Sequence, residues 1–267
     1  MDLGLKHRRA LVMGGTKGLG RSIADALAEE GATVTISGRD QGRLDEAAAA
    51  LLGNGAAGAF GVVADVASGD AMDRLADAAV SAMGGVDILV LNHGGPPQCT
   101  ASEMTEAQLV EWFQYIVVSP IRIANRLLPA MRACGWGRII VVGSTGMQQP
   151  IPNLALSNTL RASIWAWLKT MSGEVIKEGV TMNVLAPGTI HTDRTNETAA
   201  ATARRRNISF EEALAERLSE AAAQIPAGRV GTPDEYGPMG AFLASDKAGY
   251  ITGSIIRVDG GRIRGMV

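Results

Sequence analysis

The stretch 10-ALVMGGTKGLG-20 joins an apolar run of strand length to a glycine-rich loop, and a helical pattern follows it. Gly14, Gly18 and Gly20 have the spacing GxxxGxG. A loop of this kind lets backbone N–H groups and the N-terminus of a helix face a pyrophosphate. Because the loop stands between a strand and a helix, it predicts the first strand–helix–strand unit of a dinucleotide-binding sheet.

Seven apolar runs, counting this one, alternate with longer helical patterns along the chain. They are continuous Val, Ile and Leu stretches, which is typical of strands that are covered on both faces. Strand–helix–strand repetition predicts parallel strands joined by helical crossovers. We therefore expect an α/β fold, a single-domain doubly wound (Rossmann) seven-stranded parallel sheet with helices on both faces. The runs span residues 10–14, 33–37, 61–66, 86–92, 138–144, 180–187 and 254–260.

We expect one domain over residues 1–267, because the length and the 46% hydrophobic content suit one large core. The segment at about 189–232 departs from the alternation: it is helical in pattern and rich in charge and alanine. We interpret it as a helical excursion over the strand ends, a candidate substrate loop. An ordinary pair of surface helices is the alternative.

The bulk composition argues against several classes of function. The net charge is -2, from 25 basic and 27 acidic residues without a basic stripe, so we expect no nucleic-acid partner. The longest apolar runs, such as 139-IIVV-142, are of strand length, so we expect no membrane association. Cys99 and Cys134 lack metal-binding or redox spacing, which favours free thiols, no metal site and a cytoplasmic protein.

The second strand pattern ends in 37-SGRD-40, where the cofactor's adenosine ribose is expected. A cofactor with a free ribose 2′-hydroxyl usually meets an acid at this point. Ser37 stands near it instead, with Arg39 just beyond and Lys17 in the glycine loop. All three could bind a 2′-phosphate through charge-assisted hydrogen bonds. We therefore predict NADP in preference to NAD, and Asp40 is the residue that argues for NAD.

Six motifs occur in order along the chain: 14-GGTKGLG-20, 65-DV-66, 89-LVLNHGG-95, 137-GRIIVVGS-144, 183-NVLAPGTIHT-192 and 250-YITGSIIRVDGG-261. With them the chain resembles the short-chain dehydrogenase/reductase family, particularly the branch similar to 3-oxoacyl-carrier-protein reductases. The resemblance covers essentially the whole chain. It implies a homo-oligomer, a tetramer or dimer, because the family usually associates through two long helices, here at about 105–134 and 157–178.

The resemblance also implies a role for each position that matches a motif. Ser144 matches the serine that hydrogen-bonds the substrate's carbonyl oxygen, and His93 stands where the family commonly has alanine. The implied cofactor-binding residues are Gly14, Thr16, Lys17, Gly18, Leu19 and Gly20 at the pyrophosphate, Asp65 and Val66 at the adenine, Asn92 and Gly94 at the ribose, and Pro187, Gly188, Ile190 and Thr192 at the nicotinamide.

The family's active-site pair is missing from its expected place. In the family a tyrosine lies about 13 residues after the serine, and a lysine follows four residues later on the same helix face. Counting from Ser144 gives Ser157 and Arg161, and no Tyr-x-x-x-Lys occurs anywhere in the chain. The position of a further family residue, an asparagine in the preceding long helix, falls at about Ile116.

The residues at the two positions can do only part of the family's chemistry. Arg161 can donate hydrogen bonds to ribose hydroxyls and keep a positive charge there, but it does not lose a proton at ordinary pH. Ser157 can hydrogen-bond a substrate oxygen, although a serine hydroxyl is a far weaker acid than a phenol. A positioned proton donor contributes about 10²–10⁴-fold to a rate. Candidate replacements are Tyr115, His191, His93 and a bound water.

The main prediction is an NADP-dependent oxidoreductase that acts on a carbonyl or alcohol, with Ser144, Ser157 and Arg161 in its site and a non-standard proton donor. One alternative is a catalytically impaired cofactor-binding subunit or partner protein. Another keeps the cofactor but catalyses an isomerisation or a dehydration. The loops 94-GGPPQ-98 and 145–158 are expected to form two proline-stiffened rims around a small-molecule substrate at the carboxyl ends of the strands.

Overall fold

The computed structural model of the chain describes residues 2–266 and contains seven parallel strands within them. The strands are β1 (Arg9–Val12), β2 (Thr33–Gly38), β3 (Gly58–Val63), β4 (Ile88–Leu91), β5 (Gly137–Val142), β6 (Val180–Pro187) and β7 (Ile255–Val258). They form one sheet in the order β3-β2-β1-β4-β5-β6-β7. The winding therefore reverses between β1 and β4, and ligands of such sheets bind at the carboxyl ends beside this point. The predicted fold class is confirmed.

Nine α-helices occur within residues 2–266, and most of them connect successive strands. None of the helices in this range is long and apolar enough to cross a membrane. The helices are α1 (Gly18–Glu29), α2 (Gln41–Gly53), α3 (Gly69–Met83), α4 (Glu106–Phe113), α5 (Ser119–Ala133), α6 (Ala155–Val175), α7 (Asp193–Arg206), α8 (Phe210–Ala222) and α9 (Pro233–Ala244).

The sheet separates two apolar cores because successive side chains of a strand point to opposite faces. Leu11 and Met13 lie in the core that α3, α5 and α6 cover. Ala10 and Val12 lie in the other core, against α1, α2 and α9. The strands are thus buried on both sides, which explains their continuous apolar runs.

The third strand is the one whose position the apolar pattern misplaced. The sequence predicts a strand over 61–66, whereas β3 begins at Gly58 and ends at Val63. Backbone pairing with β2 extends it towards its start, where glycine and alanine give no apolar signal. Beyond its end, the Asp65 carboxylate accepts a hydrogen bond from Ala67 N at 3.0 Å, and the chain turns towards α3.

A short π-helix over Gln114–Val118 joins α4 to α5 without a break in the chain direction. Such single π turns interrupt the regular hydrogen-bond ladder and occur frequently at functional sites. The Ser119 hydroxyl, just after it, donates to Val66 O at 2.6 Å and so ties the turn to the loop that follows β3. Ile116, in the middle of the π turn, is fully buried.

Two glycines in helices give a matched test of helix packing. In α9, a Cβ on Gly237 would contact the Ser22 carbonyl of α1, 2.7 Å from its carbon, whereas Gly173 of α6 has no atom within 4 Å of that position. We expect Gly237→Ala to destabilise the protein by about 1–3 kcal/mol, because α1 and α9 must separate. Gly173→Ala should stabilise it by about 0.5–1 kcal/mol, because alanine is the better helix former. Urea unfolding midpoints measure both effects, and shifts of equal sign would contradict the packing.

Candidate functional site

The loop between β1 and α1 offers backbone donors that no side chain of the loop satisfies. Gly14 and Gly18 have φ values of +58° and +61°, a conformation that glycine adopts without strain. Lys17, the N-cap residue of α1, forms no side-chain capping hydrogen bond, whereas Asp40 and Ser68 cap α2 and α3. The first N–H groups of α1 are therefore open to an anion, as a pyrophosphate site requires.

Asn92, the residue after β4, holds this loop in place. Its Nδ2 donates to Met13 O at 3.1 Å and to Gly14 O at 3.2 Å. A Cβ on Gly20 would contact the same amide and would lie 2.5 Å from Gly14 O, so only glycine fits there. Gly94 has open space around it. This arrangement fits a nicotinamide dinucleotide whose pyrophosphate lies over the loop.

The residues at the end of β2 are those predicted to discriminate NADP, which carries a ribose 2′-phosphate, from NAD, which does not. Asp40 is engaged as the N-cap of α2, where its carboxylate accepts from Arg43 N at 2.9 Å. Arg39 is exposed. Ser37 is buried, and its Oγ accepts a hydrogen bond from Gly14 N at 3.4 Å. A cleft of about 500 Å³ adjoins this region, lined by Thr16, Lys17, Arg21, Arg43, Glu46, Ala47, Asp193, Asn196 and Glu197.

The segment after β6 lies across the groove from the glycine loop. A Cβ on Gly18 would lie 3.9 Å from Thr192 Cβ, and one on Gly188 would lie 2.6 Å from Asp259 Cα. Ile190 pairs with Gly231 as an isolated parallel bridge. Thr16, Lys17 and Gly18 of the glycine loop thus line one groove together with His191 and Thr192. Pro187 ends β6, Gly188 and Ile190 follow it, Leu19 lies in the first turn of α1, and Asp65 and Val66 follow β3.

Ser144 lies at the carboxyl end of β5, where it begins a short 3-10 turn. Its Oγ accepts from Gly146 N at 3.0 Å, which leaves the hydroxyl proton free to donate. In the same turn, Gln148 Oε1 is buried without a hydrogen-bond partner within the described chain. The two predicted rims are joined further along, where Cys99, the residue after the first rim, donates from its N to Asn153 O at 3.0 Å and accepts at its O from Ala155 N at 3.2 Å.

Ser157 and Arg161 lie four residues apart on the same face of α6, as their spacing predicts. Both side chains are buried. Arg161 Nη1 donates to Val142 O at 2.9 Å, so its guanidinium reaches the end of β5 just before Ser144. Burial lowers the pKa of the Arg161 guanidinium to about 10, with a further lowering by the charge of Arg194. Arg161 therefore stays charged at neutral pH.

His93 lies beside these residues as a neutral imidazole. Burial, followed by the positive charge of Arg161, lowers its pKa to about 3. Its Nδ1 is 2.7 Å from Gly94 O, so in the neutral ring Nδ1 carries the proton and donates it to that carbonyl. Nε2 then has a lone pair and no proton. His93 is thus an acceptor in this site and does not deliver protons at neutral pH.

The two other candidate side chains, His191 and Tyr115, and the buried Tyr236 each make contacts of their own. His191 Nε2 is 2.8 Å from Asn196 Oδ1, and both residues line the groove beside the glycine loop. The Tyr115 ring stacks on Trp112 at a centroid distance of 5.0 Å, within the π turn. Tyr236 is fully buried, donates to Leu185 O at 2.9 Å, and has a pKa raised by burial.

Three further residues join the site, and sequence reasoning did not single them out. Asn158 donates to Ile151 O at 2.9 Å and so fixes the second rim on α6. Glu197 of α7 pairs with Lys17 at 2.6 Å. Arg194, also on α7, places Nη1 3.0 Å from the position of a Cβ on Gly95. The polar residue after Ser157 was a usable signal for Asn158, whereas the other two depend on how α7 packs.

Comparison with known proteins agrees with this geometry. The family described as Enoyl-(Acyl carrier protein) reductase matches residues 14–262. The 3-oxoacyl-[acyl-carrier-protein] reductase MabA of Mycobacterium tuberculosis is 36% identical over 255 residues, which are 95% of this chain and 92% of that protein. The L-sorbose reductase of Gluconobacter frateurii, solved with NADPH and L-sorbose, superimposes with a TM-score of 0.93 at 31% identity over 100% of both chains.

A third similar protein is a 3-oxoacyl (acyl-carrier-protein) reductase of Agrobacterium tumefaciens solved with NADP bound, which has a TM-score of 0.87 and 28% identity over 97% of this chain and 95% of that one. The chain belongs to the short-chain dehydrogenase/reductase family. It is an NAD(P)-dependent oxidoreductase that acts on a carbonyl or alcohol group, and its similar named proteins include 3-oxoacyl-carrier-protein reductases.

The low pKa of His93 predicts a specific loss of stability in acid. Between about pH 6.5 and 3 the unfolded chain binds a proton at His93 and the folded chain does not, so folding weakens as the pH falls. From pH 7 to pH 5 this amounts to about 1–2 kcal/mol, discounted for partial exposure. His93→Gln should lose that much less stability over this interval, as measured by urea unfolding at both values. Parallel pH profiles for the two proteins would show that His93 titrates normally.

Proposed function

We propose that this protein transfers hydride between NADP(H) and a carbonyl or alcohol substrate, with Ser144 on the substrate oxygen and a proton route that uses no side-chain phenol. The observation that carries the proposal is the N-terminus of α1, which has no side-chain cap and lies at the same edge of the parallel sheet as Ser144 and the Arg161 guanidinium. When bound, the cofactor supplies the hydride. The chain's own residues bind it, orient the substrate and deliver the proton.

Three features favour NADP over NAD. Arg39 is exposed at the end of β2 and can bind a 2′-phosphate, and Lys17 in the glycine loop can do so by exchanging its exposed ion pair with Glu197. Asp40, the acid that would favour a free 2′-hydroxyl, is occupied as the cap of α2. The solved relatives from Gluconobacter and Agrobacterium hold NADPH and NADP. Ser37 supports the site indirectly through its hydrogen bond with Gly14 N.

The cofactor preference can be measured by fluorescence titration with NADPH and NADH. We expect NADPH to bind about 10- to 100-fold more tightly, since a charge-assisted contact to the phosphate is worth about 1.5–3 kcal/mol. Arg39→Asp should abolish most of this preference. Arg74→Asp makes the same charge change on the exposed face of α3 and should leave it intact. Tighter binding of NADH by the unaltered protein would refute the choice of NADP.

Ser144 and Ser157 are assigned different tasks on the substrate side. The Ser144 hydroxyl can donate to the oxygen that gains negative charge, because it accepts from Gly146 N and its own proton has no acceptor within the described residues. Ser157 is buried at the start of α6 and can hold a water, which we propose as the immediate proton donor. Arg161 keeps a positive charge beside them and offers hydrogen bonds to the ribose of the nicotinamide.

Replacing each of the two serines by alanine should therefore lower kcat by different amounts. We expect Ser144→Ala to lower kcat by about 10²–10³, the usual effect of removing a donor from a developing oxyanion. Ser157→Ala should cost about tenfold or less, because a water can still occupy the space. The absorbance of reduced nicotinamide, followed with NADPH and a panel of ketones, oxoacyl thioesters and sugars, measures both. Equal losses would identify Ser157 itself as the proton donor.

The absence of any Tyr-x-x-x-Lys favours one competing function, a cofactor-binding subunit or partner protein without turnover. Tight NADPH binding without turnover of any of the ketones, oxoacyl thioesters or sugars would support this competing function. Homo-oligomerisation is part of our proposal in either case. The outer face of α4 supports it, because Val110 and Phe113 are exposed apolar side chains at 66% and 40%.

A further inference from the structure

Arg161 and Arg138 are the two charged residues that are buried in the described chain, and their surroundings differ sharply. Arg138 donates to three backbone carbonyls, Ser245 O, Gly137 O and Gly179 O. Its guanidinium also stacks on Trp136 at 4.2 Å and lies 3.9 Å from the Asp246 carboxylate. A buried guanidinium that serves structure is thus fully partnered in this protein.

Arg161 has far fewer partners. Within residues 2–266 it donates one hydrogen bond, to Val142 O, and no carboxylate lies within ion-pair distance. A buried charge without a counterion is expensive, and such charges are retained at sites of function. Because the folded-state pKa of about 10 is below the ordinary value, charging Arg161 opposes folding at every lower pH. The folded protein retains this charge although it lowers the free energy of unfolding.

A second guanidinium approaches the same space from α7. Arg194 reaches the first rim, where its Nη1 lies 3.0 Å from the position that a Cβ on Gly95 would occupy. Its charge acts on Arg161 and lowers the pKa of that residue, after burial itself. Arg194 forms no ion pair within the described residues, and the nearby Glu197 carboxylate is already held by Lys17. A cation in the first turn of a helix is also unfavourable to the helix dipole.

We infer that the substrate of this site carries a carboxylate, which Arg194 binds from above while Arg161 supplies the second positive charge. Ribose hydroxyls can accept hydrogen bonds from Arg161, but they cannot neutralise two guanidinium groups. A carboxylate accepts two hydrogen bonds from one guanidinium in a planar fork. The inference rests on the proposed function and narrows its substrate class to oxo acids or hydroxy acids. Arg194 is then a specificity-determining residue.

The alternative source of negative charge is the cofactor's own pyrophosphate, because Thr192, two residues before Arg194, lies near Gly18. The two sources of negative charge predict different effects of removing Arg194. If Arg194 served the pyrophosphate, its loss would weaken cofactor binding for every substrate. If it serves a substrate carboxylate, its loss would weaken acids selectively and leave the cofactor's affinity unchanged.

The test compares acids with their methyl esters in the NADP⁺-loaded protein, which has no hydride to transfer to an oxo compound, so that binding is measured without turnover. The probes are 4-oxopentanoate and 2-oxobutanoate with the methyl ester of each, and binding is followed by the change in tryptophan fluorescence. We expect the acids to bind about 10- to 100-fold more tightly than the esters. Arg194→Gln should bring the acid-to-ester ratio close to one, and Arg194→Lys should retain part of it, because the charge remains while the fork is lost.

Arg204→Gln is the matched control, since it removes the same charge from the exposed end of the same helix and should leave the ratio unchanged. Equal binding of acids and esters, or no binding of either acid, overturns the inference. It is also overturned if Arg194→Gln weakens the binding of NADPH as much as it weakens the binding of the acids. Turnover is recorded separately. Acid-selective binding without turnover would refute the proposed function alone, whereas turnover of esters and acids at equal efficiency would refute this inference alone.

Discussion

The side-chain amide of Asn92 joins the two strands between which the sheet reverses its winding, and the rest of the site depends on that contact. Its two hydrogen bonds hold the end of β1 against the end of β4. These hydrogen bonds require the glycine loop to pass close to the Asn92 amide. A Cβ on Gly20 would therefore collide with that amide. The start of α1 is thereby fixed with its first N–H groups facing the groove. Any anion bound there has its position set by this clamp, and so does whatever lies further along the groove towards Ser144.

Charge, rather than shape, distinguishes the substrate end of that groove. Apolar side chains make up most of both cores. The two buried arginines are exceptions, and each requires a physical explanation. Carbonyl acceptors, an aromatic ring and a carboxylate compensate Arg138, and this accounts for its presence as a structural residue. Nothing comparable compensates Arg161 within the described chain. Burial first, and the positive charge of Arg161 second, lower the pKa of His93 and keep its ring neutral. The pocket thus provides donors and positive charge, with His93 Nε2 as a neutral acceptor.

The sequence was a good guide wherever local rules decide the structure. Continuous apolar runs predicted all seven strands, because burial on both faces of a parallel sheet requires them. The glycine spacing located the loop before α1, since glycine adopts the positive φ of Gly14 and Gly18 without strain. The pattern found β3 but displaced its bounds by three residues, because the first residues of this strand pair through the backbone and give little apolar signal. It also could not reveal Arg194 or Glu197 as site residues, because their contacts join residues that are far apart in the chain. Long-range side-chain pairing leaves no periodic signal in a single sequence.

The way α7 is attached explains why such long-range contacts can set specificity without disturbing the fold. Backbone bonds fix its approach: His191 N donates to Gly231 O at 2.9 Å, and Gly231 N donates to Thr189 O at 3.0 Å. Beyond this point the helix meets the groove through two flexible side chains three residues apart, Glu197 at the glycine loop and Arg194 at the first rim. An exposed ion pair such as that of Glu197 contributes only about 0–1 kcal/mol. Side chains held this weakly can exchange one partner for another at little cost in stability. The sheet and the Asn92 clamp therefore determine where a ligand lies, while α7 can change which ligand is preferred.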